Sequence, residues 1–157
     1  MKTLCVYFTR TNLTEKIAAE ISRQLDAELL KITDGKDRSG VLGYITAAVL
    51  GLKKSFPKLK PYKTEYPLCE YDRIIIAAPV WCEDICPIAR AFAFENRQNL
   101  KGDIYLVITH MSNISYEKKI SAFETLINKK VKSFLSLKTK KHDYSIELQK
   151  FVCDIRD

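Results

Sequence analysis

Hydroxyl side chains cluster near the amino terminus, between a short apolar run and a helical pattern. The segment is Thr9-Arg10-Thr11-Asn12-Leu13-Thr14. Three hydroxyl donors, together with the free N–H groups and the positive dipole end of a helix amino terminus, predict a phosphate site that requires no lysine. The alternative is that Thr14 or Asn12 only caps the helix.

The chain's one tryptophan marks a second candidate loop. It ends a strongly apolar run in the sequence Pro79-Val80-Trp81-Cys82. An aromatic side chain at the point where the backbone leaves a sheet could stack on a planar ligand. It could equally cover the end of the sheet or fill the core.

Apolar periodicity predicts the elements that position these loops. Strands are expected at residues 3–8, 27–32, 73–80, 103–109 and 131–137, with helices between them. This alternation predicts an α/β fold with a doubly wound five-stranded parallel sheet. Ligands of such sheets bind beyond the carboxyl ends of the strands at the topological switch point. The loops after strands one, three and four are therefore the candidates, and the third of them contains His110-Met111-Ser112-Asn113.

The composition excludes several other classes of protein. No Gly-x-Gly-x-x-Gly follows the first strand, and no Walker loop occurs. The five cysteines are odd in number and have no metal-ligand spacing, so we expect no metal site and a reduced, cytoplasmic protein. The longest uncharged apolar stretch, residues 40–52, is too short to span a membrane.

The net charge of +7 is concentrated in two segments. Residues 36–63 and residues 129–141 each carry a charge of +6, and the remainder of the chain carries −5. Lysines around the last strand are expected to protect a sheet edge, with docking of an acidic partner as the alternative. No aromatic-interleaved basic face accompanies the lysines, so nucleic acid is not expected as a partner.

The hydroxyl loop and Trp81 together resemble the flavodoxin family. In that family a Ser/Thr-x-Thr-Gly-Asn-Thr loop holds the phosphate of flavin mononucleotide (FMN), and an aromatic residue after the third strand lies beside the isoalloxazine ring. Thr9, Thr11 and Thr14 stand at the three hydroxyl positions, and Pro79-Val80-Trp81 matches the Pro-aliphatic-aromatic pattern. The resemblance covers residues 1–157 as a single domain and implies the strand order 2-1-3-4-5.

The resemblance implies a role for each loop and FMN as the cofactor. Residues 9–14 would hold the phosphate, Trp81 would pack by the ring, and the backbones of residues 79–82 and 110–113 would bind its polar edge, with Ser112 and Asn113 as partners. His110 could place a positive charge near the reduced ring, although a lone loop histidine is more often structural. No catalytic side chain is implied, because outer-sphere electron transfer needs no general acid.

Three positions depart from the family pattern. Asn12 stands at the family's glycine, and asparagine tolerates a left-handed backbone. Leu13 stands at the family's asparagine and can offer only its backbone N–H group. Cys82-Glu83-Asp84 occupies a turn where flavodoxins often have a glycine that permits a peptide flip during one-electron chemistry.

A long connection, residues 34–63, follows the second strand and contains a helical pattern at residues 40–55. We expect this helix to cover one face of the sheet as part of the core. The alternatives are a wall of the flavin cleft, where Tyr44 and Tyr62 could reach a substrate, or a surface for a quinone or an anionic membrane. Membrane contact through residues 40–63 is the less favoured of these.

The function expected from the sequence is electron transfer through FMN. The partner would be a redox protein or a small-molecule electron acceptor in the cytoplasm. Two alternatives remain open, which are an FMN-dependent reductase of quinones or similar two-electron acceptors, and a module that has lost flavin and acts in binding.

Overall fold

Strands and helices alternate along the chain. The computed structural model describes residues 1–52, 56–140 and 143–157. The strands are β1 (Thr3–Tyr7), β2 (Glu28–Lys31), β3 (Arg73–Trp81), β4 (Asp84–Ile85), β5 (Asp103–His110) and β6 (Val131–Lys138). The helices are α1 (Leu13–Leu25), α2 (Gly40–Leu52), α3 (Pro87–Asn96), α4 (Glu117–Ile127) and α5 (Ser145–Arg156).

The five long strands form one parallel sheet in the order β2-β1-β3-β5-β6. This order confirms the predicted 2-1-3-4-5 arrangement, with β6 as the fifth long strand. Cys5 of β1 pairs with Leu29 of β2 on one side and with Ile75 of β3 on the other. The central strands are buried on both faces, and this explains why their sequences are apolar without alternation.

The short strand β4 was absent from the sequence prediction. It pairs antiparallel with the end of β3, so that Val80 faces Ile85 and Trp81 faces Asp84. The two residues between the strands, Cys82 and Glu83, form a tight hairpin turn. Two-residue hairpins are usually signalled by Asn-Gly or Asp-Gly, and this turn contains neither residue.

Two apolar clusters cover the two faces of the sheet. Ile21 of α1 and Phe151 of α5 pack on one face, and Phe92 of α3 and Phe123 of α4 pack on the other. Burial raises the pKa of the Cys5 and Cys86 thiols to about 12. Both thiols therefore stay protonated at neutral pH and act as apolar core groups.

Helix α2 corrects the prediction of a core helix. Among its residues only Gly43 and Ala47 are buried, because α1, α3, α4 and α5 already cover the faces of the sheet. The helix instead contacts the end of β3. It ends at Leu52, and residues 53–55 of the predicted helix lie outside the described residues. Within the described ranges, no helix has both the length and the apolar character needed to cross a bilayer.

A buried ion pair anchors the connection that leads into α2. Both guanidinium nitrogens of the Arg38 fork donate hydrogen bonds to the two carboxylate oxygens of Asp34. The two side chains are only 4% and 2% exposed. Gly43 lies directly on the Arg38 backbone, where a Cβ atom would approach the carbonyl carbon to 1.9 Å. The first turn of α2 therefore packs on Arg38, the residue that pairs with Asp34.

We predict that Asp34→Asn lowers the free energy of unfolding by about 3–5 kcal/mol at neutral pH, because it leaves the Arg38 charge buried without a counterion. Burial alone would raise the pKa of Asp34, but hydrogen bonds from Arg38 and from the Lys36 N–H group outweigh burial and hold this pKa below its ordinary value. The stabilisation is therefore present above the unfolded-state pKa of about 3.9 and disappears as the pH falls through the lower folded-state value.

Urea unfolding at several pH values measures this effect. Asp103→Asn is the matched control, because Asp103 pairs with Lys132 at 2.9 Å on the surface, where both side chains are half exposed. Its loss should cost less than about 1 kcal/mol. Equal effects of the two substitutions would contradict the assignment of Asp34 as a buried anchor.

Candidate functional site

The three loops that the sequence singled out meet at one edge of the sheet. The carboxyl ends of β1, β3 and β5 lie side by side there, and a cavity of about 480 Å³ opens between them. Most of the predicted residues line it, namely Arg10, Thr11, Leu13, Thr14, Pro79, Val80, Trp81, Cys82, His110, Met111 and Ser112. Thr9, Asn12 and Asn113 do not line it.

The loop after β1 leaves the amino terminus of α1 without a side-chain cap. Asn12 has a φ of 64° and makes no capping hydrogen bond, so the predicted left-handed backbone is confirmed and the capping alternative fails for Asn12. The first N–H groups of a helix have no carbonyl partner within it. Those of α1 are therefore available to an anion that enters the cavity beside Arg10 and Thr11.

Two threonine hydroxyls lie beneath this loop in different environments. The Oγ1 atom of Thr9 is buried, and among the described residues it has no hydrogen-bond partner. The Oγ1 atom of Thr14 lies 3.0 Å from that of Thr109, and both residues are buried. If the Thr109 hydroxyl donates this hydrogen bond, the hydroxyl hydrogen of Thr14 is free to point into the cavity. Both residues line the cavity.

The loop after β3 is a closed hairpin with a strained turn. Cys82 and Glu83 have φ values of 50° and 61°, the two positive angles that a type I′ turn requires. The Cys82 Sγ atom donates to the carbonyl oxygen of Ala48 in α2 at 3.4 Å. The hairpin is therefore tied to α2. Neither Cys82 nor Glu83 is a glycine, although glycine adopts this backbone conformation more readily.

Trp81 serves both as a core residue and as part of the cavity wall. It is 8% exposed and packs edge-to-face on Phe8, with ring centroids 5.4 Å apart. The Arg38 guanidinium lies 5.6 Å from the centroid of its ring. Trp81 therefore fills the core at the sheet end and also lines the cavity, and its stacking on a planar ligand stays a prediction.

His110 is held by two hydrogen bonds. Its Nδ1 atom lies 2.9 Å from the carbonyl oxygen of Ser112, and its Nε2 atom lies 2.8 Å from the hydroxyl of Ser136. Because a carbonyl can only accept, Nδ1 carries the proton and Nε2 accepts from Ser136 in the neutral ring. The ring also packs against Tyr116, with centroids 4.7 Å apart. This geometry agrees with the structural role that the sequence had given as the more frequent one.

Several lining residues lie outside the predicted set. They are Tyr44, Ala47, Ala48, Glu83, Thr109, Tyr116 and Thr139. Thr109 lies near the carboxyl end of β5, and Thr139 directly follows β6. Ligands bind beyond the carboxyl ends of parallel strands, so inspecting the end of every strand would have found both residues. Tyr44, Ala47 and Ala48 belong to α2, which the sequence analysis gave as a wall of the cleft only as an alternative, because its position depends on how the long connection folds back. The structure places this helix at the cavity wall, whereas Tyr62 does not line the cavity.

Charge is sparse in the cavity. Among the described lining residues, Arg10 carries the one permanent positive charge and Glu83 the one negative charge. The Arg10 guanidinium lies 5.4 Å from the centroid of the Tyr44 ring, which joins the hydroxyl loop to α2. The side-chain oxygen of Asn113 accepts from the Lys138 ammonium, and this contact holds Asn113 outside the cavity. The arrangement suits an anion beside Arg10 and the amino terminus of α1, with an aromatic and apolar wall beyond it.

Comparison with solved structures establishes the fold. A Bacteroides uniformis protein assigned as a flavoprotein is 20% identical, with a TM-score of 0.76 and 97% of each chain covered. A Lactobacillus acidophilus flavoprotein in complex with FMN is 22% identical, with a TM-score of 0.68, 86% of this chain and 92% of that chain covered. Megasphaera elsdenii flavodoxin is 13% identical, with a TM-score of 0.62 and coverages of 97% and 96%. No protein-family model and no curated protein sequence matches the chain. The chain therefore has the flavodoxin-like fold.

We predict that Glu83→Gly raises the free energy of unfolding by about 0.5–1 kcal/mol, because glycine relieves the positive φ at this turn. The urea midpoint measures the change. Ala19→Gly is the control, since Ala19 is exposed within α1 and glycine in a helix interior costs about 1 kcal/mol. A loss of stability in Glu83→Gly would show that the Glu83 side chain contributes more than its backbone conformation costs.

Proposed function

We propose that the cavity binds FMN and that the protein exchanges electrons through it. The observation that carries this proposal is the uncapped amino terminus of α1, which opens on the cavity beside Thr11 and Thr14. The Thr9 hydroxyl does not line the cavity but belongs to the same loop, where it is buried and has no hydrogen-bond partner among the described residues. A buried hydroxyl without a partner costs about 1–3 kcal/mol. A bound phosphate that accepts from Thr9 would remove this cost.

The residues present fit the phosphate of FMN. Thr11 and Thr14 line the cavity and add hydroxyl donors to the N–H groups of α1. Arg10 supplies a single positive charge beside them. Hydrogen bonds are stronger when the donor or the acceptor is ionised, as a phosphate acceptor would be. The cavity volume also lies within the range of about 300–1,000 Å³ that is usual for small-molecule and cofactor sites.

The remaining walls fit the ring system. The backbones at residues 79–82 and 110–112 would bind its polar edge, with Trp81 on one side and Tyr44 on the other. FMN supplies the electron-transfer chemistry when it is bound, and the protein binds, orients and shields it. On this proposal the protein carries electrons in the cytoplasm between a redox partner and an acceptor.

A reductase of quinones or similar two-electron acceptors is the second candidate. It is favoured by the apolar wall that α2 adds to the cavity through Ala47, Ala48 and Tyr44, because a planar apolar acceptor could pack there beside the ring. A stepwise reduction of the FMN-loaded protein, followed by visible absorbance, separates the candidates. A resolved one-electron stage supports the carrier, and a single two-electron stage supports the reductase.

Titration of the apoprotein with FMN tests both candidates together. Binding should change the visible absorption of the flavin and quench its fluorescence, with one FMN bound per chain. A protein that takes up no FMN would overturn both candidates and would favour the module that acts in binding without flavin.

We predict that Thr9→Val has opposite effects on the apoprotein and on FMN binding. The apoprotein should keep or gain stability, because valine has a similar shape and removes an unsatisfied buried hydroxyl. FMN affinity should fall about tenfold or more, since a hydrogen bond to a charged group contributes about 1.5–3 kcal/mol. Thr125→Val is the control, as Thr125 is exposed on α4 and its hydroxyl donates to the Ser121 carbonyl oxygen. Unchanged affinity in Thr9→Val would place the phosphate elsewhere.

A further inference from the structure

Helix α2 exposes an unusually apolar surface. Its exposed apolar side chains and their exposed fractions are Val41 (78%), Leu42 (79%), Tyr44 (54%), Ile45 (51%), Val49 (47%) and Leu52 (74%). Side chains of this kind scattered singly on a surface are ordinary, but a contiguous group marks a surface that contacts something apolar. Six of them on one 13-residue helix form such a group.

Apart from the Tyr44 hydroxyl, the side chains of the helix offer no free hydrogen-bonding group to a partner. No charged residue occurs between Gly40 and Leu52. The one hydroxyl outside Tyr44, that of Thr46, donates to the Gly43 carbonyl oxygen at 3.0 Å within the helix. Specific protein interfaces usually carry about one hydrogen bond for each 100–200 Å². A surface with a single such group is better matched by lipid acyl chains than by a protein.

The segments on both sides of α2 are basic. Lys36 precedes the helix, Lys58 and Lys60 follow it, and all three are exposed. The Lys60 N–H group donates to the Thr33 carbonyl oxygen at 2.8 Å, so the segment that leaves α2 lies against the segment that enters it. Among the described residues none of these three lysines forms an ion pair, and Asp37 is the one acid in residues 36–63.

This charge distribution indicates which apolar partner is suitable. A second copy of the chain packed through α2 would bring the exposed lysines Lys36, Lys58 and Lys60 of both copies to one interface, and like charges at an interface repel. Lipid phosphates are negative, and each lysine near an anionic membrane surface is attracted to it. An apolar helix between basic flanks therefore complements an anionic lipid surface.

We propose that α2 docks the protein on anionic lipid surfaces, with the helix lying in the interface and Lys36, Lys58 and Lys60 near the headgroups. The inference does not depend on FMN. Ala47 and Ala48 on the inner side of α2 line the cavity, so docking would hold the cavity wall against the lipid. One consequence does rest on the proposed function, namely that an apolar electron acceptor dissolved in the membrane would reach the cavity without crossing bulk water.

Sedimentation with lipid vesicles tests the apolar contact. The protein should bind vesicles of phosphatidylcholine mixed with phosphatidylglycerol and should bind pure phosphatidylcholine at least tenfold more weakly. Val41→Ser with Leu42→Ser should reduce binding to the mixed vesicles about tenfold or more. Ile146→Ser is the matched control, because Ile146 is 65% exposed on α5, and it should bind as the unaltered protein does.

A second set of variants tests the electrostatic contact. Lys58→Glu with Lys60→Glu should weaken binding to the mixed vesicles at low salt, whereas Lys118→Glu with Lys150→Glu, at exposed positions of α4 and α5, should have little effect. No binding of the unaltered protein to mixed vesicles would overturn the proposal, as would equal losses in the control variants. A dimer that the Val41 and Leu42 substitutions disperse, without vesicle binding, would assign α2 to a second copy instead.

Discussion

The position of β1 inside the sheet is the constraint on which the rest of the structure depends. β1 lies between β2 and β3, so the chain leaves it toward one sheet edge and later returns to its other side. Connections that leave adjacent parallel strands on opposite faces separate at their carboxyl ends and open a crevice there. The same hydroxyl loop after an edge strand would face solvent on one side. Between β2 and β3 it faces the loop after β3 across a cavity, and Thr14 comes within hydrogen-bond distance of Thr109 from β5.

The ion pair of Asp34 and Arg38 connects this crevice to the long connection. A buried pair is weak evidence for stability, because the cost of desolvation offsets much of the attraction. Its clearer consequence is positional, since Arg38 packs over Trp81 and its carbonyl oxygen lies 3.5 Å from a guanidinium nitrogen of Arg10. The close approach of Gly43 to the Arg38 backbone then sets where α2 begins. The wall of the cavity formed by α2 thus depends on a charge pair outside the cavity.

Local patterns predicted the parts of the fold that depend on local physics. The continuous apolar runs of β3 and β5 gave the central strands and, with the helices between them, the parallel sheet. The left-handed backbone at Asn12 followed from the tolerance of asparagine for that conformation. The exposure of α2 could not be predicted in this way, because its apolar composition is the same for a core helix and for a docking helix. Only the tertiary arrangement shows that other helices already occupy both faces. The hairpin at Cys82 and Glu83 could not be predicted either, because its own residues disfavour the turn and tertiary contacts hold it.

The total charge of +7 does not show that the cavity carries little charge while the lysines lie outside it. The cavity holds little charge, so a phosphate there would depend on hydroxyl and N–H donors, which salt screens weakly at short range. The lysines around β6 are largely occupied within the protein, as Lys130 pairs with Glu124 at 2.7 Å and Lys132 pairs with Asp103. The exposed lysines beside α2 have no such partners among the described residues. These lysines therefore place unpaired positive charge next to α2, and salt should weaken contacts made there more than hydrogen bonds made inside the cavity.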